Sequence, residues 1–526
     1  MLALCILASV MRLYDLNTIP PGLWYDEAIN GLDALDVLKN GARVFFMTEG
    51  HPREPLMIHI IALLFIVFPA NAITLRLASA ILGILTIPLL YYFVRITTRD
   101  AVLAIVSSFF LATIRWHVHF SRVSFRTILV APVMLLLFVY LFKALNEPRK
   151  KRRQLYSILA GWWLGLGMYT YLAFRLVPGI LLSFFGYVLL TKHLKSKHLV
   201  NIILTILVVA IIISLPMIID FTIHPEHFSG RVGEVTLFDK GFSQAIQSLI
   251  GNAIDVALMF SFKGDHVPKH NIPLKPVFDP LTSFFFYVGI IIALYYSIKK
   301  RDPFFTLVLL WLFWILLASV FSFGAPNILR TLGVTPAIAI LLALGLLKAF
   351  TFSRRYISPR LAWLLLGLIL VVFMGVQMRQ YFHTWYRDSA SWRDFNSNIV
   401  DLVDTISSIP ENQYRIFIPA DLYYHPTFRF LNHHPDVQPA ISLKEIVCGN
   451  TEYPHFIVAT TYGHLMNSGI IDRFLHIKER LQISTYGYGV WALIYVIDTG
   501  DLLREEEFNG IMLKNNIDPE SIKVTM

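Results

Sequence analysis

Cysteine is nearly absent, with Cys5 and Cys448 the only two in 526 residues. That excludes a disulfide framework and a cysteine-rich zinc site. Charged residues are also scarce, at 15% of the chain against about 25% in soluble domains. The glycine signatures of a Walker loop, a dinucleotide-binding turn and a nucleophile elbow are missing, as are internal repeats and low-complexity tracts. What is abundant is apolar sequence: 56% hydrophobic and 14% aromatic residues, with a mean hydropathy of +0.60. A soluble chain of this length would make roughly three to five domains. Here repeated apolar blocks replace that organisation with a multi-span membrane one. The net charge of +10 does not point to nucleic acid, because the basic residues fall in short runs between apolar blocks.

A membrane span needs about 20 apolar residues. Segments of that kind lie near 72–94, 101–114, 127–143, 155–173, 176–191, 199–219, 281–298, 304–321, 331–350 and 361–378. Basic runs occupy every second gap: Arg95/Arg99, Arg149-Lys150-Lys151-Arg152-Arg153, Lys192/Lys195/Lys197, Lys299-Lys300-Arg301 and Arg354-Arg355/Arg360. The positive-inside rule makes these gaps cytoplasmic and the alternate ones outward-facing. Leu56–Phe68, bounded by Pro55 and Pro69, is too short to cross, and counting it as a span would put every basic cluster outside. It reads as an interfacial helix with Pro55 at its first turn. Residues 1–11 read as the end of a first transmembrane helix whose start lies outside this chain, or as an unusually short one. Arg12 follows directly, which argues against a cleaved signal peptide.

The outward side then carries the loop 12–71, the loop 220–280 and everything after about 379. In the tail, Arg415–Pro419, His455–Thr460 and Trp491–Ile497 read as buried strands, with helices at Phe395–Ile406 and Ile471–Leu481. The expected architecture is an α-helical polytopic membrane protein with about 11 transmembrane helices. It comprises a membrane domain over 1–378, interfacial helices in its first outer loop, and an extracytoplasmic α/β domain over 379–526. Gly161-Trp162-Trp163-Leu164-Gly165, with Gly167, has the spacing that lets membrane helices approach closely.

The first outer loop concentrates acids. Asp26 and Glu27 stand in Leu23-Trp24-Tyr25-Asp26-Glu27-Ala28, and Glu54 in His51-Pro52-Arg53-Glu54-Pro55. Ionised carboxylates are cheap to keep in water and costly deeper in a bilayer, so a cluster on an outer loop suggests chemistry at the membrane face. Asp26 to about Lys39 reads as an amphipathic helix ended by Asn40-Gly41. Acids at helix starts also cap and complement the dipole, worth about 0.3–1 kcal/mol each. Adjacent residues on a helix point about 100° apart, so of Asp26 and Glu27 one serves chemistry while the other holds the loop.

The ordered set Arg12-Leu13, Pro20-Pro21-Gly22, Trp24-Tyr25-Asp26-Glu27-Ala28, Gly41, Glu54-Pro55-Leu56, Arg76-Leu77-Ala78-Ser79-Ala80 and Leu89–Tyr92 resembles the N-terminal third of the GT-C glycosyltransferases. Within it, the set looks like the group of the protein O-mannosyltransferases and lipid A aminoarabinose transferases. The resemblance implies a multi-pass enzyme of the cell membrane that uses a polyprenyl-phosphate sugar donor, with its active site and tail extracytoplasmic. It implies a catalytic base at Asp26 and a site-forming Glu54. Relatives often carry a basic residue soon after either acidic motif, where this chain has Ala28-Ile29-Asn30 and Pro55. The identity of the sugar is not transferred.

A phosphate leaving group departs without protonation, so the reaction asks for one general base and for cations on the phosphate. It does not ask for the paired carboxylates of a glycosidase. Single arginines at predicted outer ends of spans fit the cationic role: Arg122, Arg126, Arg175 and Arg330. Arginine grips phosphate bidentately; the alternative for each is a snorkelling anchor. Arg175 and Arg330 stand in segments that also resemble the family's Tyr-x-x-x-Arg and Arg-x-x-x-x-x-Pro patterns. Tyr171 belongs to the first of these, and His51 is an auxiliary candidate near Glu54. His117-Val118-His119 lacks an acidic or cysteine partner nearby and reads as interfacial rather than metal-binding. No cofactor is demanded, and a divalent metal between Asp26, Glu54 and a donor phosphate is compatible with the pattern. The expected partners are the lipid-linked donor, a protein, lipid or glycan acceptor, and membrane lipids. Two other functions remain open, a transporter or flippase of lipid-linked sugars and a non-catalytic envelope assembly protein. A transporter would place ionisable groups near the bilayer midplane, whereas here they gather at the outer boundary.

Overall fold

Long runs of Leu, Ile, Val and Phe fold into helices in a bilayer because the backbone finds no hydrogen-bond partner there but itself. The computed structural model describes residues 1–48, 51–192, 194–228, 230, 242–440, 455–460, 479–486 and 489–497. Among them, eight helices are long and apolar enough to cross a membrane: Ala72–Thr98, Arg126–Asn146, Leu172–Leu190, Ser196–Ile223, Pro280–Lys299, Pro303–Val320, Leu332–Ser353 and Pro359–Trp385. Each coincides with a segment read as a span. The remaining expected spans are shorter or more charged. Leu2–Leu13 has 12 residues and Ala101–Thr113 has 13, about 18–20 Å of helix, and Lys150–Gly167 opens inside a basic run. Leu56–Val67 is a helix of 12 residues, as its proline-bounded sequence predicts. Met57, Ile58, Ile61 and Ala62 are buried, while Leu63, Ile66 and Val67 are exposed.

Helix Lys150–Gly167 lies against Ser196–Ile223 through the small residues singled out above. A Cβ on Gly161 would stand 2.7 Å from the Ile206 carbonyl oxygen, and one on Gly165 would stand 2.8 Å from that of Ala210. Only glycine permits so close an approach of two helix backbones.

The chain divides into two compact units. One comprises Met1–Ile19 and Asp33–Tyr386, the other Pro20–Leu32 and the residues from Arg387 on. The sequence reading placed the division near 378 and assigned the whole loop 12–71 to the membrane part. Helix Pro359–Arg379 continues as a π-helical stretch, Gln380–Trp385. There the Tyr381 and Trp385 rings stack at 5.2 Å, and Trp385 Nε1 donates to the Pro268 carbonyl at 2.7 Å.

In the second unit, β3 (Arg415–Pro419), β4 (Val437–Ala440), β5 (His455–Thr460), β6 (Glu479–Thr485) and β7 (Gly489–Ile497) form one sheet in the order β4-β3-β5-β7-β6. The first three are mutually parallel, and β7 runs antiparallel to both its neighbours, β5 and β6. Helix Ser397–Ser407 packs Ile399, Leu402, Val403 and Ile406 onto Ile416 and Ile418 of β3. The expected helix Ile471–Leu481 ends differently, because Glu479, Arg480 and Leu481 open strand β6, paired with β7; residues 471–478 lie outside the described ones, as does Cys448.

The segment Pro20–Leu32 is built into this same unit. Gly22 turns the chain at φ +63°, with the Ser397 backbone 2.8 Å from where a Cβ would be. The Leu23 carbonyl accepts from Thr427 Oγ1 at 3.2 Å and Asn396 Nδ2 at 3.3 Å. Trp24 meets the Phe395 ring edge-on, Tyr25 meets His425, and Gly31 makes room for the Phe430 ring.

Candidate active site

Backbone carbonyls at a helix C-terminus have no partner within the helix. At the end of Leu2–Leu13, buried arginines provide partners. Arg122 donates to the carbonyls of Met11 (3.1 Å), Tyr14 (2.6 Å), Asp15 (3.2 Å) and Ile19 (2.7 Å). Arg76 reaches those of Leu16 and Asn17. Arg12 in turn donates to the carbonyls of Ala112 and Leu111 and to His117 Nδ1, at 3.0, 3.3 and 2.8 Å. Accepting there leaves His117 neutral; burial, then Arg12, push its pKa well below the usual imidazole value. The structure thus occupies Arg122, a phosphate candidate by sequence, in holding residues 11–19. His117 and His119 are buried, as the sequence reading of them as interfacial did not anticipate, and His119 Nε2 donates to the Lys269 carbonyl at 2.8 Å.

The acidic pair stands at the start of helix Tyr25–Asn40. Glu27 is fully buried, and its Oε2 accepts the Trp24 N–H at 3.2 Å. That is the reciprocal half of a capping box, in which an acid three residues into the helix returns to the cap. Asp26 is half-exposed. Gly41 closes the helix at φ +92°, donating to the Val37 carbonyl at 2.9 Å. Asp26, Asn30 and Asp33 recur at helical spacing and form one polar stripe.

Further along the loop, β1 (Phe46–Thr48) and β2 (His51–Arg53) form an antiparallel hairpin that delivers Arg53 and Glu54. Glu54 Oε2 and Arg126 lie 2.9 Å apart, their side chains 5% and 2% exposed. Asp33 is buried; its Oδ1 accepts from Thr48 Oγ1 at 2.7 Å, and its Oδ2 has no hydrogen-bond partner among the described residues. Burial raises the Asp33 pKa, opposed by the Thr48 hydrogen bond and the charges of Arg53 and Arg126. The Leu56 N–H donates to the Tyr169 carbonyl at 3.1 Å, which ties this corner to the segment carrying Tyr171 and Arg175. Tyr171 is buried, edge-on to Phe125. Arg175 donates to the Phe228 carbonyl at 3.2 Å, with its guanidinium over the Phe228 and Phe221 rings. The side chain of His51 lies outside the described residues.

Arg330 is half-buried in a segment fixed at several points. Its own N–H donates to Asn327 Oδ1, the Asn327 N–H to Ser319 Oγ, and the Ile328 N–H to Asp265 Oδ2, at 3.1, 2.8 and 3.0 Å. Thr127, next to Arg126, donates to the Leu329 carbonyl at 3.1 Å. The first unit therefore gathers Asp33, Arg53, Glu54, Arg126 and Arg175, with the Arg330 segment tied to the backbone next to Arg126. Asp33, Arg53 and Asp265 were not singled out from the sequence; the i, i+4, i+7 stripe is the signal that could have found Asp33.

Comparison with known proteins bears on the fold. Residues 50–219 match the family model described as dolichyl-phosphate-mannose-protein mannosyltransferase. The structure is similar to that of ArnT from Cupriavidus metallidurans bound to undecaprenyl phosphate, with a TM-score of 0.58, 12% identity, and coverage of 94% of this chain and 96% of that one. The fold is GT-C. An archaeal oligosaccharyltransferase, AglB from Archaeoglobus fulgidus in complex with an inhibitory peptide and a dolichol-phosphate, shares the GT-C fold at a TM-score of 0.52 and 15% identity, over 87% of this chain and 69% of that one. No curated protein matches the chain by sequence. Within the GT-C frame, one group outside the acidic corner has metal-ligand geometry among the described residues: His224, Glu226 and His227.

Proposed function

We propose that this protein is a membrane glycosyltransferase that moves a sugar from a polyprenyl-phosphate donor to an acceptor on the extracytoplasmic side of the cell membrane. The observation that carries this reading is the GT-C likeness, which spans nearly the whole chain and includes a structure described as holding undecaprenyl phosphate. The buried acid–arginine group in the first outer loop supports it.

Asp26 is the general base. It takes the proton of the acceptor hydroxyl or amine as that atom bonds to the anomeric carbon. The anomeric carbon–oxygen bond to the donor phosphate breaks, its electron pair stays on the phosphate, and configuration inverts. Arg175 and Arg330 hold that phosphate, because a guanidinium can meet two of its oxygens at once. Glu27 keeps the helix start in place, and the Glu54–Arg126 pair fixes the loop corner, with Tyr171 and His51 in auxiliary roles. The deciding experiment incubates purified protein with candidate polyprenyl-phosphate sugars, with and without acceptor. Acceptor-dependent release of polyprenyl phosphate is expected; no release with any donor would remove the reading.

Arg175→Lys and Arg330→Lys should weaken donor use, since charge survives but the forked geometry does not. The alanine variants should lose more, about 1.5–3 kcal/mol for hydrogen bonds to a charged group, read as a rise in donor KM. Unchanged KM in both alanine variants would leave the arginines as anchors. The orientation has its own test. In a background without Cys5 and Cys448, an impermeant thiol reagent should label Lys263→Cys in intact cells and leave Lys150→Cys unlabelled. The opposite pattern would invert the topology.

A further inference from the structure

The helix Ser196–Ile223 ends in the sequence Asp220-Phe221-Thr222-Ile223-His224-Pro225-Glu226-His227, and the chain there wraps tightly. The His224 N–H donates to the Asp220 carbonyl at 2.7 Å and the His227 N–H to the His224 carbonyl at 3.0 Å. We propose that this turn binds a zinc-type divalent ion through His224, Glu226 and His227, with Asp220 orienting His227 from behind.

Four features converge on that assignment. One ligand atom from each of the three residues lies within 4.8 Å of the others. His224 Nδ1 and Glu226 Oε1 are 3.4 Å apart, close to the edge of about 3.3 Å that a tetrahedron with zinc–nitrogen bonds near 2.0–2.1 Å would have. Asp220 Oδ2 lies 2.7 Å from His227 Nδ1, which places the proton on that nitrogen and leaves the Nε2 lone pair for a cation. A carboxylate bonded to the far nitrogen of a ligating histidine is the usual outer partner in such sites. The His227 ring is further held by stacking on Phe45, with centroids 4.9 Å apart and planes at 21°.

The chemistry of the donor set selects the ion. Two imidazoles and one carboxylate suit zinc and its neighbours, while calcium and magnesium take oxygen ligands. With three protein ligands, a fourth position stays open to water.

The site also has a structural consequence. Phe228, the next residue, gives its carbonyl to Arg175 and its ring to the same guanidinium. An ion that fixes residues 224–227 therefore fixes the support of Arg175. The ion's binding is independent of the proposed reaction, whereas its effect on donor use rests on that reading.

The test uses the full chain in detergent, purified without a polyhistidine tag and stripped with a chelator. Zinc titration against a competing chromophore should give one zinc per chain, and cobalt should give the visible absorption of a low-symmetry nitrogen–oxygen site. His224→Ala and His227→Ala should lose both signals at unchanged helical content by circular dichroism. Asp220→Asn should weaken zinc affinity about 10–100-fold. The absence of stoichiometric zinc in the parent protein, or undiminished binding in the two histidine variants, would overturn the assignment. Donor KM measured with and without zinc then reads the link to Arg175 separately; a site that binds zinc with no change in KM would keep the metal and remove only that link.

Discussion

Asp26→Asn is expected to give a folded protein that binds donor normally and turns over about 10²–10⁴-fold more slowly, the usual cost of losing a general base. Asparagine keeps the size and one hydrogen-bonding oxygen of aspartate. Asparagine also caps a helix about as well as aspartate, and Glu27 accepts the Trp24 N–H at the helix start. Donor affinity should hold, since phosphate recognition is assigned to arginines. Single-turnover rates alongside donor-binding measurements separate the two effects. Glu27→Gln should show the converse, a loss of stability with chemistry largely kept, because its oxygen is buried and accepts a backbone donor. Near-normal turnover in a well-folded Asp26→Asn protein would remove Asp26 as the base and move attention to Glu54 and Asp33.

The second large effect concerns the Glu54–Arg126 pair. Removing one member of a buried ion pair leaves the other charge uncompensated, at a cost of about 3–5 kcal/mol. Both side chains are 5% exposed or less, so solvent offers little relief. Arg126→Ala should therefore lower the thermal unfolding midpoint sharply in detergent. Replacing both together, Glu54→Leu with Arg126→Met, should recover most of that stability, since a paired apolar substitution is often neutral. Turnover should stay lost in the double variant. A single variant as stable as the parent would show that the pair is not needed to hold the corner; a double variant with normal turnover would show that its charges are not needed for catalysis.

Much of this was readable in the chain. Apolar run length located the membrane helices, and the acids with Asn40-Gly41 located helix Tyr25–Asn40, because both signals are local. Strands β3 and β5 matched their short apolar runs for the same reason. Three things were not readable. Asp33 looks like a solvent-facing helix position until Thr48 and Arg53 arrive beside it from the hairpin. Arg122 finds its carbonyl acceptors 103 to 111 residues away, a distance no local pattern encodes. The stretch ending at Leu481 has helical composition, but Glu479–Thr485 pairs with β7, and cross-strand pairing overrides propensity.

The seating of Leu23 sets a timetable for synthesis. Its carbonyl partner Thr427 lies 404 residues further along the chain, which at about 5–20 residues per second takes the ribosome roughly 20–80 s to reach. Through that interval the membrane helices can insert one after another while the acidic segment waits for its supports. A fragment stopped at Tyr386 would never supply Thr427, and its Leu23 carbonyl would keep that immature state permanently.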